Sequence, residues 1–236
     1  MTVLELSSVT KHYGGRMALD GIDLSVPRGS ALGLLGPNGA GKTTVLRLLL
    51  GFIRPNAGRV LLRGKAPTQA AARVGVAYLP ERLALPPRMT VRGVLRLHAA
   101  LAGLAGAERD RSIAAVLEQT GLAQRERERV GGLSRGLLQR VGFAQALLGS
   151  PEVLLLDEPI SGLDPIGVRD ARDWILGARE RGCTVLVSSH LLSEVERTCD
   201  RVAILHEGRI AASGPVDELV GPGEDLEDAF VRVVRG

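Results

Sequence analysis

An apolar run, Ala31 to Leu35, leads straight into Gly36-Pro37-Asn38-Gly39-Ala40-Gly41-Lys42-Thr43, and Thr44 to Leu50 reads as the helix leading out. Strand, glycine-rich turn and helix in that order match the phosphate-loop pattern at every specified position. Each part has a physical reason. Gly36, Gly39 and Gly41 let the backbone curl so that successive N–H groups face one concavity, an anion nest. The N-terminus of the outgoing helix adds partial positive charge, worth about 0.3–1 kcal/mol toward a nearby anion. Lys42 is expected to reach the β- and γ-phosphates, and the Thr43 hydroxyl to ligate Mg²⁺. A turn that merely starts a helix accounts for the glycines alone, not for a full match set between a strand and a helix. The segment is read as a site for a nucleoside triphosphate.

The remaining chain supplies the sheet that such a loop needs. Strands are expected at Val3 to Leu6, Ile22 to Val26, Arg59 to Arg63 and Val74 to Leu79, each bounded by Gly or Pro nearby. From about Thr90 to Gly149 the character changes to amphipathic helices: Val91 to Leu104, Arg109 to Gln119 and Ser134 to Leu148. Strands and helices then alternate: Val153 to Leu156, Val168 to Arg181, Thr184 to Val187, Leu191 to Cys199, Val202 to Leu205. Alternation of this kind predicts an α/β fold with a parallel sheet and helices packed on it. The plan is one α/β core with a helical subdomain inserted near the centre.

A phosphate loop works with a carboxylate at the end of a second buried strand. Val153 to Leu156 is that strand, and Asp157-Glu158 follows directly. Asp157 is expected to contact the metal through water, and Glu158 to act as general base for the attacking water. Alone, an Asp-Glu pair after a strand reads as a helix cap; beside a phosphate loop it reads as chemistry. Positioned acid–base groups contribute about 10²–10⁴ in rate.

Composition removes other classes. With 45% hydrophobic and 24% charged residues the chain can bury a core, so disorder is excluded as the default. The stretch around Ala99 to Ala107 is interrupted by Arg96, His98 and Glu108. It falls short of the roughly 18 apolar residues of a spanning helix. No charged segment followed by an apolar one opens the chain, so no secretion signal is expected. Cys183 and Cys199 form neither a disulfide framework nor a metal-ligand spacing. A cytoplasmic location is therefore expected. The net charge of +4 comes from arginines spread along the chain, with lysine only at positions 11, 42 and 65. With six aromatic residues there is no stacking platform, and no nucleic-acid partner is expected.

With both phosphate-binding motifs in place, the chain closely resembles the ATP-binding subunits of ABC transporters, over nearly its whole length and in the family's motif order. Tyr13, in His12-Tyr13-Gly14-Gly15, matches the position where that family stacks an aromatic ring on adenine. Leu133-Ser134-Arg135-Gly136-Leu137 stands where the family carries the signature LSGGQ, departing from it at the third and fifth positions, with Gln139 and Arg140 following. The resemblance implies that Ser134 caps a helix and, with Gly136, faces the γ-phosphate held by a second subunit. Two ATP molecules are thereby sandwiched between two head-to-tail domains. Ser161-Gly162-Leu163-Asp164 resembles the loop that couples the two sites, which brings Asp164 to the nucleotide. His190, after Ser188-Ser189, resembles the switch histidine of the γ-phosphate. His98 and His206 have no such position and are read as surface or core residues.

The resemblance thus implies nucleotide contacts from Tyr13, Gly36, Asn38, Gly39, Gly41, Lys42, Thr43, Thr44, Ser134, Gly136 and Asp164. It implies Mg²⁺ contacts from Thr43, Asp157 and Glu81, and charge stabilisation by Lys42 and His190. Glu81, after Tyr78-Leu79-Pro80, stands where the family usually has Gln; it is expected to orient water or a metal ligand and to alter coupling. Together with the Leu-Ser-Arg-Gly signature and Leu226 to Phe230 near the end, it is similar to the drug-, polysaccharide- and maturation-type exporter branch. The implied fold is a RecA-like P-loop NTPase core with an N-terminal antiparallel β subdomain, 1–81 and 150–236. A helical insert, 82–149, carries the signature. The implied partners are transmembrane permease subunits, docking near Leu83 to Arg88, and a second copy or a paralogous ATPase. The location that follows is peripheral, on the inner face of the cell membrane. The chain ends soon after the core, so no added regulatory domain is expected.

Two further readings compete. A soluble ATPase of the same superfamily acting on DNA would carry long coiled-coil heptads, and a ribosome-acting one two phosphate loops; neither pattern occurs. A nucleotide-binding protein that has lost hydrolysis is opposed by Glu158 and His190.

Overall fold

Alternating apolar residues Leu4 and Leu6, then Val9, on one segment and Ile22, Leu24 and Val26 on the next bury one face of a hairpin. In the computed structural model, which describes residues 1–221 and 223–235, these segments are β1 (Thr2–Tyr13) and β2 (Arg16–Pro27). There follow β3 (Ala31–Leu35), α1 (Lys42–Leu49), β4 (Ala57–Leu62), α2 (Ala70–Arg73) and β5 (Val76–Leu79). The middle of the chain forms α3 (Val91–Leu101), α4 (Gly106–Gln119) and α5 (Arg135–Leu147), then β6 (Val153–Asp157) and α6 (Pro165–Glu180). The last part forms β7 (Thr184–Ser189), α7 (Leu192–Thr198), β8 (Arg201–His206), β9 (Arg209–Pro215), α8 (Val216–Leu219) and α9 (Leu226–Arg235). The chain divides into two compact units, Met1–Val74 with the part from Thr184 onward, and Gly75–Cys183.

In the first unit β1 pairs antiparallel with β2 on one side and β4 on the other. β1 runs far beyond Val3 to Leu6 because its alternation changes phase at an irregularity between Leu6 and Val9. Ser8 there has φ +49°, and its N–H is taken by the Asp23 carboxylate at 2.8 Å. A second layer is parallel: β3 lies between β7 and β8, in register Leu35 with Ser189 and Leu35 with Ile204. All five residues of β3 are buried, as a strand covered on both faces requires. α7 packs on β3 and β7, and α9 on α7. β9, absent from the sequence reading, pairs antiparallel with β8 through a two-residue turn at Glu207 and Gly208, both at positive φ. That is the type I′ geometry of a tight hairpin, reached here with Glu in the place usually held by Asn or Asp.

In the second unit β5 and β6 pair in parallel, Leu79 opposite Leu156. Three helices start on side-chain caps: Thr90 on the Gly93 amide, Ser134 on Leu137 and Asp164 on Gly167, with Pro165 at the first turn of α6. The fully buried Phe143 of α5 meets Trp174 of α6 with ring centroids 5.0 Å apart. The Trp174 indole N–H donates to the Gln119 carbonyl at 2.8 Å, which satisfies the one polar atom of that ring. Among the described residues no helix is long and apolar enough to cross a membrane.

Candidate functional site

The phosphate loop leaves the buried end of β3. Gly41 has φ +116°, and a Cβ there would lie 2.7 Å from the Ala18 carbonyl oxygen and 2.8 Å from Leu19 Cδ2, so only glycine fits. At Gly36 the same addition would meet the Leu205 carbonyl oxygen at 2.2 Å. The loop is therefore packed closely against β2 and β8. Asn38 and Gly39 are exposed at its tip, and Thr43 and Thr44 are half-buried in the first turn of α1. The helix starts at Lys42, two residues before the sequence reading had it, because the Val45 amide already bonds the Gly41 carbonyl.

The cap of α1 is Gly41, which has no side chain to bond the helix, and the first turn has no acidic residue. A helix N-terminus left in that condition favours an anion. The Lys42 side chain, 7% exposed, arches back so that Nζ donates to the Gly36 carbonyl at 2.6 Å and lies 3.5 Å from that of Pro37. The ammonium is thus held beside the amides of the loop. These donors, with the Thr43 hydroxyl, are the set a triphosphate requires.

Other predicted residues converge on the same end of the first unit. Because Leu35 and Ser189 are register partners on parallel strands, Gly36 and His190 leave adjacent strands at one edge. The exposed His190 sits within a turn in which the Ser189 Oγ accepts from the Leu191 amide at 3.0 Å. Tyr13 is 42% exposed at the end of β1, with the Lys11 ammonium 5.4 Å from its ring centroid. Its register partner across the hairpin, Arg16, reaches the loop: Nη2 lies 3.4 Å from the Gly39 carbonyl, which accepts from it. Arg16 went unnoticed in the sequence; the only signal was a basic residue closing the Tyr13-Gly14-Gly15 turn.

In the second unit β6 delivers Asp157, 2% exposed, and then Glu158, 9% exposed. Glu158 has φ +48°, a conformation that costs a residue with a Cβ about 1 kcal/mol or more. That turn directs the chain out of the strand into the 159–164 segment. Glu81 lies two residues beyond β5, at the same edge as Asp157, and is exposed. Ser134 Oγ accepts from the Leu137 amide at 3.3 Å, so the expected cap is formed at the start of α5, with Gly136 in its first turn. Asp164 Oδ1 accepts from the Gly167 amide at 2.7 Å and so caps α6. His98 and His206 are half-buried, and burial lowers the pKa of His98.

Known proteins resemble this chain in sequence and in fold. The family described as ABC transporter matches residues 19–161. An uncharacterised ABC transporter ATP-binding protein of Synechocystis is 43% identical over 212 residues, 89% of this chain. The chain spans 60% of that relative's length. The bacitracin transport ATP-binding protein of Bacillus licheniformis is 39% identical, with 92% of this chain and 71% of that protein covered. A solved ATP-binding subunit of an ABC transporter superposes with a TM-score of 0.91 at 30% identity, over 98% of this chain and 99% of its own. The fold is accordingly that of the P-loop NTPases, α/β with an antiparallel and a parallel sheet.

Proposed function

The chain belongs to the ABC transporter family, and from that membership we propose that it is the ATP-binding and ATP-hydrolysing subunit that energises an export transporter. The observation that carries the reading is the loop itself, with Lys42 folded back onto the Gly36 carbonyl beside an α1 N-terminus whose cap is a glycine. Export is supported by relatives named for it, such as the Nod factor export ATP-binding protein of Rhizobium etli, 36% identical. Within the chain, 1–81 with 150–236 serves as the nucleotide-binding core and 82–149 as the helical insert.

The residues fit Mg-ATP by their donor chemistry. The amides of Gly36 and of Asn38 to Thr44, with the Lys42 ammonium, bind the phosphates, and Tyr13 stacks on the base. The Thr43 hydroxyl and the Asp157 carboxylate, with Glu81, offer the hard oxygen ligands that magnesium takes. Bound there, magnesium neutralises charge on the β- and γ-phosphates. Glu158 takes the proton of the attacking water, and Lys42 and His190 hold the charge that builds on the γ-phosphate. Ser134, Gly136 and Asp164 face the nucleotide of a second subunit, so that ATP closes a head-to-tail dimer and hydrolysis reopens it. Membrane-spanning permease subunits convert that motion into transport and hold the chain at the inner face of the membrane.

The test is to tag the chain in its own host, solubilise membranes gently and identify what co-purifies. A stoichiometric polytopic membrane protein is expected. Recovery only with ribosomes or DNA overturns the transport role and leaves the ATPase chemistry standing.

A further inference from the structure

Arg135 has no part in the function above, and it occupies the third position of the signature segment, where the resemblance leads one to expect glycine. It is the first residue of α5, directly after the capping Ser134. A cation there meets the unfavourable end of the helix dipole. Its side chain is directed onto the segment that follows Glu158. Nη2 donates to the Ser161 carbonyl at 3.2 Å. The guanidinium lies against Gly162, where a Cβ would fall 2.5 Å from Cζ and 2.7 and 2.8 Å from the two terminal nitrogens. Gly162 also has φ +73°, so the turn that receives the arginine is one that glycine alone forms without strain. One helical turn further along the same face, the buried Gln139 Nε2 donates to the Pro159 carbonyl at 2.6 Å. Between them, Leu163 Cδ2 approaches within 4.0 Å of where a Cβ would stand on Gly136. Arg135 and Gln139, in the first turns of α5, thus hold the segment that links Glu158 to Asp164.

We infer that Arg135 is a positioning residue for ATP hydrolysis: it clamps the Ser161-Gly162 turn onto the N-terminus of α5, so that the signature segment and the loop behind Glu158 move as one body. The inference rests on the proposed ATPase function. Hydrogen bonding fixes the turn at one point, and the flat guanidinium on Gly162 prevents it from rotating about that point. Glu158 is the residue from which this segment departs, so its placement follows the clamp.

The test compares wild-type protein with Arg135→Gly, Gly162→Ala and the double variant, by steady-state ATP hydrolysis and by amide hydrogen exchange. Arg135→Gly removes an exposed side chain and is expected to fold. Its kcat should fall about fivefold or more while KM for ATP shifts by less than about twofold. Amides of 161–163 should exchange about tenfold faster, with those of 36–43 unmoved. Gly162→Ala should act in the same direction, and on top of Arg135→Gly it should add only the strain of an alanine at positive φ, because the contact itself is already broken. A raised KM with unchanged kcat overturns the inference in favour of direct nucleotide contact. Unchanged exchange at 161–163, or normal wild-type turnover left unaltered in Arg135→Gly, overturns it as well. Wild-type protein that hydrolyses no ATP overturns the ATPase reading and the positioning role together.

Discussion

The Nζ of Lys42 donates to the carbonyl of Gly36 at 2.6 Å and closes the phosphate loop on itself across six residues. The ammonium holds the curl of the loop, and in the proposed function it also binds phosphate. Replacing Lys42 by Ala should weaken ATP binding by roughly 10- to 100-fold, the scale of losing a charge-assisted hydrogen bond. Titration with a fluorescent ATP analogue measures it; affinity within a factor of two of wild type would remove Lys42 from the phosphate site.

Glu158→Gln separates binding from turnover. The amide keeps the size of the carboxylate but cannot take a proton, so hydrolysis should fall by about 10²–10⁴ while ATP is still bound. Size-exclusion chromatography in saturating Mg-ATP should then find a dimer. A persistent monomer would count against the two-subunit arrangement.

Asp164 is bonded to the Gly167 amide at 2.7 Å and caps α6. Asp164→Ala should cost about 1 kcal/mol in urea unfolding, and Asp164→Asn only a few tenths, because asparagine caps nearly as well. If Asp164→Asn is stable yet slow in ATP hydrolysis, the residue has a role beyond the cap; equal rates would assign it to the helix alone.

Burial pushes the Cys183 thiol from 9.0 up to about 12, against the opposing pull of the Arg181 charge. At pH 8 the folded protein should therefore present about a thousandfold less thiolate at this position than an ordinary cysteine. Alkylation by iodoacetamide, followed by peptide mass spectrometry, should be slow until urea is added. The neutral thiol is favoured in the folded state, so its contribution is full below pH 9 and is lost as pH rises toward 12. Rapid labelling of native protein at pH 8 would contradict the burial.

Much of the site could be read from residues near one another in the chain. The limits of β3 match the apolar run Ala31 to Leu35, and the helix after the loop differs only by its earlier start. Ser134 was legible as a cap because a cap bonds an amide three residues on. β1 was read too short because a polar pair, Ser7-Ser8, interrupts its alternation where the irregularity falls. β9 was not read because its sequence, Arg209 to Pro215, is half-exposed and lacks an apolar run; β8 beside it supplies the order.

Local sequence by itself determined where the phosphate loop lies, which strand precedes it and that Ser134 caps a helix. Those features depend on contacts within a few residues, where backbone geometry leaves few alternatives. Only the tertiary structure decided that Arg16 meets Gly39 and that Arg135 rests on Gly162. Each pairing joins residues more than twenty positions apart through a long side chain, and such a side chain takes its direction from what the fold packs beside it.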